Sequence, residues 1–278
     1  MPHFRTFTLL LALLIFPSLG SADPLEPAAT KISIGGSGGP LGTMQILAEA
    51  FKKTHPHATI VIVPSLGSSG GMKALLAGAI DIAVISRPLK DAERSQGVIG
   101  MEYARTPFVF AAAAHTNVSA ITTRELVSIY TGELKTWPDG RTLRLVLRPE
   151  TDSDTDIVKS VSPEMNQAVK TAHARAGMII APTDKAAADS LETIPGTIGT
   201  TTLAQIISEQ RALQPLALNG VAPSLKTLAD GKYPHYKTFI MVSNSKTSLL
   251  AQQFIAFVRS AAGQEILEKN GQWVAPTK

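Results

Sequence analysis

The Gly-Ser-Ser-Gly-Gly segment at residues 67–71 separates an apolar run at residues 60–63 from a helix-like run at residues 72–80. This order predicts a strand, a loop and a helix in succession. Glycines let a backbone approach a ligand closely, the hydroxyls of Ser68 and Ser69 add hydrogen-bond donors, and unpaired N–H groups at a helix start favour an anion. The segment therefore predicts a cradle for an anionic group such as phosphate.

Two more strand candidates end at residues suited to binding. Residues 31–34 lead into a second glycine-rich segment, residues 35–39, and residues 82–85 lead into Ser86 and Arg87. Strand candidates that alternate with helical patterns indicate an α/β fold. Because ligands bind outside the carboxyl ends of strands in open α/β sheets, we expect these segments to share one anion.

The same alternation continues along the chain. Residues 143–147 predict a strand that ends at Arg148, residues 152–155 predict the next helix start, and residues 238–242 and 249–260 predict a late strand and a late amphipathic helix. A cap at Thr122 or Thr123 is predicted for the helix of residues 123–130. An apolar stripe at helical spacing predicts a helix between the first two strands: Met44, Leu47, Ala48 and Phe51.

The N-terminus has the pattern of a cleavable signal peptide, residues 1–22. Arg5 precedes an apolar core at residues 9–16, and small residues at 20–22 precede Asp23. The core is shorter than the roughly 20 residues that a membrane span needs. The chain has no cysteine, which excludes disulfides and a lipid-anchored thiol. We therefore expect an exported, periplasmic protein.

Charge and composition exclude other partners. The formal net charge is only +4 and charged residues make up 17% of the chain, too few and too scattered for a nucleic-acid footprint. His55 and His57 flank a proline without Cys or Glu partners, so we expect no metal site there. The basic and aromatic residues between 232 and 237 are interpreted as a solvated approach to a late strand.

The motifs, taken in order, resemble those of the periplasmic phosphate-binding proteins of ABC transporters. The matching pieces span nearly all of the chain after the signal peptide: residues 35–39, 67–71, 81–89, 125–126, 129–132, Trp137, Arg148, 153–155, 194–199, 233–234 and 254–271. The resemblance implies a type II periplasmic binding protein fold, α/β, with two lobes joined by a two-crossover hinge. Lobe 1 would comprise residues 23–112 plus 237–278, and lobe 2 residues 113–236.

The resemblance also implies an oxyanion held between the lobes by hydroxyls, backbone N–H groups and one arginine. Ser68 matches the hydroxyl donor, Arg148 the charged clamp, and Ser153 and Thr155 the hydroxyls that follow it. A guanidinium can bind two oxygens of one anion at once, as lysine cannot. The predicted ligand-binding residues are Gly39, Leu41, Ser68, Ser69, Ser86, Arg87, Arg148, Ser153 and Thr155.

The chain departs from this pattern at several positions. Ser86 stands where phosphate-specific relatives carry an aspartate that accepts the proton of phosphate, which permits fully ionised anions such as sulfate. Asp152 or Asp154 could replace that acceptor, or could cap the helix. Pro40 has no backbone N–H and so removes a donor next to the glycine-rich segment at residues 35–39. Arg87 is equally consistent with ligand contact and with pairing to a nearby acid.

The predicted function is capture of phosphate or a similar tetrahedral oxyanion for an ABC permease in the inner membrane, by a monomer without cofactor, metal or bond-making step. An alternative keeps the fold and makes the protein an input or accessory module for a membrane sensor. A third possibility is a serine hydrolase, because Gly67, Ser69 and Gly71 match a nucleophile elbow. A dinucleotide site is disfavoured because Leu41 replaces the third glycine of that motif.

Overall fold

The computed structural model describes residue 1 and residues 30–275, so the predicted signal peptide lies outside the described residues except for Met1. Strands and helices alternate over most of this stretch, and the predicted α/β class is confirmed. The strands are β1 (Lys31–Gly36), β2 (Thr59–Ile62), β3 (Ile82–Ile85), β4 (Ile99–Ala113), β5 (Ala120–Ile121), β6 (Arg144–Leu147), β7 (Ile179–Ile180), β8 (Thr197–Thr202), β9 (Leu213–Pro215), β10 (Ala217–Leu218) and β11 (Tyr236–Ser243). The helices are α1 (Leu41–Lys52), α2 (Gly67–Leu76), α3 (Asp91–Arg94), α4 (Thr123–Thr131), α5 (Ser153–Ser160), α6 (Pro163–Ala174), α7 (Asp184–Thr193), α8 (Leu203–Ser208), α9 (Leu225–Ala229), α10 (Leu249–Arg259) and α11 (Ala261–Lys269).

One sheet runs through the molecule in the order β2, β1, β3, β11, β4, β8, β6, β7, and β9 also pairs with β4. On one side β1 pairs in parallel with β2 and β3, and on the other β6 pairs in parallel with β7 and β8. β11 is antiparallel to both β3 and β4. In each half the parallel strands end at a common edge, which is where a ligand site can form.

The long strand β4 connects the two halves of the sheet. Its first part, up to Pro107, pairs with β11, whereas the part from Phe108 onward pairs with β8 and β9. Tyr236, the first residue of β11, pairs with Pro107, so the two chain crossings lie side by side. We propose that the two predicted lobes meet at these crossings. The first lobe boundary, predicted between residues 112 and 113, would then lie between Pro107 and Phe108, and the second would stay between residues 236 and 237.

The apolar cores follow the same division. In the first half, the predicted stripe of α1 is confirmed, because Met44, Leu47, Ala48 and Phe51 are all buried. The Phe51 ring meets the edge of the Phe254 ring from α10, with 5.5 Å between centroids. A separate cluster in the second half is built from Phe108 and Phe110 of β4 together with α4 and α6. The segment beginning at Phe108 thus belongs to the second core.

The helix starts carry the polar caps that the sequence indicates. Thr122 accepts a hydrogen bond from the Glu125 N–H at 3.2 Å, and the Glu125 carboxylate accepts one from the Thr122 N–H at 2.8 Å. This reciprocal pair fixes the start of α4. The predicted late strand and helix correspond to β11 and α10. Among the described residues, none of the helices has the length and apolar character to cross a bilayer.

A tyrosine ties the two crossings together. The buried Tyr233 hydroxyl donates to the Phe108 carbonyl at 3.0 Å. Replacing Tyr233 with phenylalanine should lower the free energy of unfolding by about 1–2 kcal/mol, because a buried carbonyl loses a donor. Urea unfolding measures this loss. Tyr236→Phe is the matched control, since that exposed side chain makes no such bond, and equal losses in both variants would contradict the assignment.

Candidate functional site

A cleft of about 230 Å³ lies between the two halves of the molecule. The first half contributes two serine-bearing segments and one arginine, the second half contributes the starts of α5 and α7, and β11 contributes one lysine. The lining residues are Ser37, Leu66, Gly67, Ser68, Ser69, Gly70, Arg87, Pro149, Thr151, Asp152, Ser153, Pro182, Asp184 and Lys237.

The segment at residues 67–71 begins α2 instead of forming a separate loop before it, so the prediction of a loop is wrong. A Cβ at Gly71 would lie 2.6 Å from the Gly36 Cα, so glycine here lets α2 pack directly against the end of β1. The first N–H groups of a helix have no intrahelical acceptor. Because residues 67–70 line the cleft, those groups border it and favour an anion.

Three hydroxyls from separate segments of the first half meet beside the cleft. The Ser37 and Ser86 hydroxyls are 2.6 Å apart, and the Ser86 N–H donates to the Ser68 hydroxyl at 3.1 Å. The Ser68 and Ser86 hydroxyl oxygens are 3.4 Å apart. Ser37 and Ser68 line the cleft, whereas Ser86 is buried behind them. Ser37 follows β1 directly but is not among the residues predicted from the sequence to bind the ligand.

Arg87 lies at the rim of the cleft and is held by an acid. Its guanidinium donates to both Glu93 carboxylate oxygens, at 2.7 Å and 2.9 Å, and to the Ser69 hydroxyl at 3.4 Å. The hydrogen bond from Arg87 lowers the pKa of Glu93. The predicted pairing of Arg87 with a nearby acid is therefore confirmed, and its position at the cleft leaves ligand contact as a prediction.

On the opposite wall, Arg148 follows β6 and is 95% buried behind the lining residues. Its guanidinium donates to the Asp152 carboxylate at 2.7 Å and to the Ala181 carbonyl at 2.9 Å. One guanidinium nitrogen, Nε, is buried without a hydrogen-bond partner. Asp152 also caps α5, accepting from the Asp154 N–H at 2.9 Å. Arg148 thus does not line the cleft itself, but it contacts Asp152, which does.

Two of the predicted hydroxyl donors differ in position. Ser153, the first residue of α5, lines the cleft. The Thr155 hydroxyl is buried and donates to the Pro149 carbonyl at 2.8 Å, which holds the turn before α5. Thr155 is not among the lining residues.

Gly39 and Leu41, which were predicted to offer backbone contacts to the ligand, are also absent from the residues that line the cleft. The Leu41 N–H donates to the Gly38 carbonyl at 3.0 Å, so it is engaged within the turn that starts α1. Gly39 is buried. Of the predicted residues, Ser68, Ser69, Arg87 and Ser153 line the cleft, whereas Gly39, Leu41, Ser86, Arg148 and Thr155 are not among its lining residues.

The interpretation of residues 232–237 as a solvated approach is wrong for Lys237, which is buried. Its side chain is 1% exposed, its ammonium contacts a carboxylate oxygen of Asp154, and it lies 3.3 Å from Asp184 Oδ1. Burial alone would lower the pKa of Lys237, but the two carboxylates raise it, so the ammonium stays charged. The sequence offers one signal, since Lys237 shares its strand face with the buried Phe239 and Met241.

The pKa values of the two carboxylates around Lys237 are shifted in opposite directions. Burial raises the pKa of Asp154 to about 6, although Lys237 opposes the shift. For Asp184, burial also acts upward, but Lys237 and Arg148 outweigh it and lower the pKa to about 2. Together with Asp152, these groups set two cations against three carboxylates near the cleft.

The two halves are joined across this cluster. Asp184, the first residue of α7, accepts a hydrogen bond from the Gly38 N–H at 2.8 Å.

No group of three or more histidine and acidic side chains suited to a metal ion occurs in the described part of the chain. The cleft thus presents hydroxyls, helix N–H groups and cations from two directions, together with carboxylates. Such an arrangement can hold a small anion through hydrogen bonds and charge.

Comparisons with known proteins give the family and the relatives of the chain. Residues 21–262 match the model of the PBP superfamily domain. The chain is 26% identical over 250 residues to the phosphate-binding protein PstS of Borreliella burgdorferi, covering 86% of this chain and 88% of the relative. It is 23% identical over 251 residues to PstS of Bacillus subtilis, covering 86% and 79%.

A solved structure from Clostridium perfringens, described as a phosphate ABC transporter substrate-binding protein with bound phosphate, shares the fold. Its TM-score is 0.73 at 22% identity, with 88% of this chain and all of the other chain covered. The family-model match spans most of the residues that form the two halves and the cleft. The chain belongs to the PBP superfamily, and its predicted resemblance to PstS-like phosphate-binding proteins is confirmed.

Proposed function

We propose that this protein captures phosphate or a similar tetrahedral oxyanion in the cleft between its two lobes and presents it to an ABC-type importer. The observation that carries the proposal is the meeting of two α-helix starts, α2 and α5, with Lys237 and Arg87 around one small cleft. The sequence similarity to PstS proteins supports the same ligand class.

The lining residues supply hydrogen-bond donors from both lobes. The first lobe offers the Ser37, Ser68 and Ser69 hydroxyls and the free N–H groups of α2, and the second offers Ser153. Lys237 and Arg87 bring cationic groups from two sides, and each of them is also paired with a carboxylate of the protein. Hydrogen bonds to an ionised partner are about twice as strong as neutral ones, so this set favours an anion over a neutral solute.

Asp152 and Asp154 are the two candidates for accepting the proton of a bound hydrogen phosphate, and they differ in position. Asp152 lines the cleft, whereas Asp154 is buried behind it against Lys237. Asp152 is therefore the residue of the pair that can meet the proton of a bound hydrogen phosphate. Ser86, where relatives carry an acid, contributes a hydroxyl to the serine cluster instead.

In this proposal the protein works in the periplasm as a monomer, closes its lobes on the ligand, and makes or breaks no bond. The hydrolase alternative needs a base beside Ser69. The Ser69 hydroxyl instead accepts a hydrogen bond from Arg87, a group that holds a proton throughout the accessible pH range. That contact suits binding of an anion better than activation of a nucleophile.

Calorimetry of the exported form against phosphate, arsenate, sulfate and molybdate tests the proposal. We expect phosphate to bind, and Ser68→Ala to weaken binding by about tenfold, the effect of losing roughly one charge-assisted hydrogen bond. Ser95→Ala is the matched control, because Ser95 is exposed and its hydroxyl only donates to the Ala92 carbonyl. Absence of heat with every oxyanion would contradict the proposed function.

A further inference from the structure

The Asp184 carboxylate already occupies donors of the cleft. Its Oδ2 accepts from the Gly38 N–H at 2.8 Å, and its Oδ1 lies 3.3 Å from the Lys237 ammonium and 3.9 Å from the Arg148 guanidinium. The side chain lines the cleft and is only 6% exposed. A backbone N–H, an ammonium and a guanidinium are the groups that an incoming oxyanion would be expected to use.

The approach of Asp184 to the first lobe is close. A Cβ at Gly38 would lie 2.9 Å from both the Cβ and the Oδ2 of Asp184, so a larger residue would push the carboxylate away from the loop. Gly38 and Asp184 belong to opposite sides of the cleft, and their hydrogen bond spans it. The contact therefore links the two sides of the cleft and also occupies one of its donors.

Asp184 also retains its charge over the working pH range. Burial acts against ionisation, but Lys237, Arg148 and the Gly38 N–H outweigh it and lower the pKa of Asp184 to about 2. A carboxylate that is permanently ionised carries one negative charge and two acceptor oxygens. It resembles part of a tetrahedral oxyanion in both respects.

We propose that Asp184 is an internal ligand of the cleft, which a bound oxyanion must displace from Gly38 and Lys237. This inference rests on the proposed function and adds a specificity determinant to it. A monoanion such as formate or chloride offers no more charge than the carboxylate it would replace, and it must also break the hydrogen bond between Gly38 and Asp184. A dianion offers more charge and more acceptors, so Asp184 selects for divalent tetrahedral anions and against common monoanions.

The variant Asp184→Asn tests this role, because it removes the charge but keeps an oxygen that can accept from Gly38. We expect calorimetry to show phosphate and sulfate binding at least about tenfold tighter than in the wild type, and formate binding where the wild type shows none. Asp189→Asn is the matched control on the same helix, since the Asp189 side chain is 41% exposed and pairs with Lys185 and Arg211. The control should bind like the wild type.

The outcomes separate this inference from the proposed function. If the wild type binds phosphate and Asp184→Asn binds it equally or more weakly, the internal-ligand role is overturned while the proposed function stands. If neither protein binds any oxyanion, both fall. Should Asp184→Asn fail to fold, Asp184→Ser keeps a hydroxyl acceptor for Gly38 and must show the same gain in affinity. A loss of thermal stability without that gain would assign Asp184 a structural role only.

Discussion

Replacing Arg148 with alanine should weaken phosphate binding by about a hundredfold, equivalent to roughly 3 kcal/mol. Arg148 is one of two buried cations set against Asp152, Asp154 and Asp184. Without it, three carboxylates would face Lys237 alone, and the cleft would repel a dianion. Asp152 would also lose the hydrogen bond that fixes its side chain at the cleft surface. Calorimetric titration with phosphate measures the effect.

Two further variants separate the charge of Arg148 from its shape. Arg148→Lys keeps the charge but cannot reach Asp152 and the Ala181 carbonyl with one planar group, so we expect an affinity between those of the wild type and the alanine variant. Arg259→Ala, which removes an exposed arginine from the end of α10, should bind like the wild type. Unchanged phosphate affinity in a folded Arg148→Ala protein would show that this arginine is not the clamp.

The fold was accessible from sequence because its signals are local. The α1 stripe and the caps at Thr122 and Asp152 each depend on residues within one or two helical turns. The strand candidates are short apolar runs, and all of them up to Arg148 proved to be strands of the main sheet. Glycine composition misled at residues 67–71, where close packing of α2 on β1 explains Gly71 and a positive φ of 67° suits Gly67, and at Gly35 and Gly36, which belong to β1.

The site was harder to predict because its decisive contacts are long-range. Lys237 meets Asp184 and Asp154, which are far from it in sequence, and Asp184 meets Gly38 on the other side of the cleft. A lysine on the inward face of a strand indicates a buried partner, yet the strand pattern alone does not name it. Arg148 was identified from its motif, but its dependence on Asp152 and Ala181 became visible only in three dimensions.

Replacing Lys237 with methionine should destabilise the protein by about 3–5 kcal/mol, because it leaves buried carboxylates without their cation. Methionine approximates the length of the lysine stem, so the loss reflects charge more than volume. Asp154 and Asp184 would face each other with only Arg148, 3.9 Å from each, to compensate. Urea unfolding at about pH 8 measures the change. Lys232→Met, at an exposed position shortly before β11, should leave stability nearly unaltered.

The pH dependence of this loss distinguishes electrostatics from packing. Burial raises the pKa of Asp154 to about 6 even though Lys237 acts to lower it. Removing the Lys237 ammonium should therefore raise the pKa of Asp154 further. An acid whose pKa is raised in the folded state costs stability in full above that pKa, and the cost fades as the pH falls to the pKa of the unfolded state. The destabilisation in Lys237→Met should therefore be smaller at about pH 5 than at about pH 8, and adding Asp154→Asn should recover part of it at the higher pH. A loss that is equal at both pH values would instead assign it to a packing defect around the β11 strand.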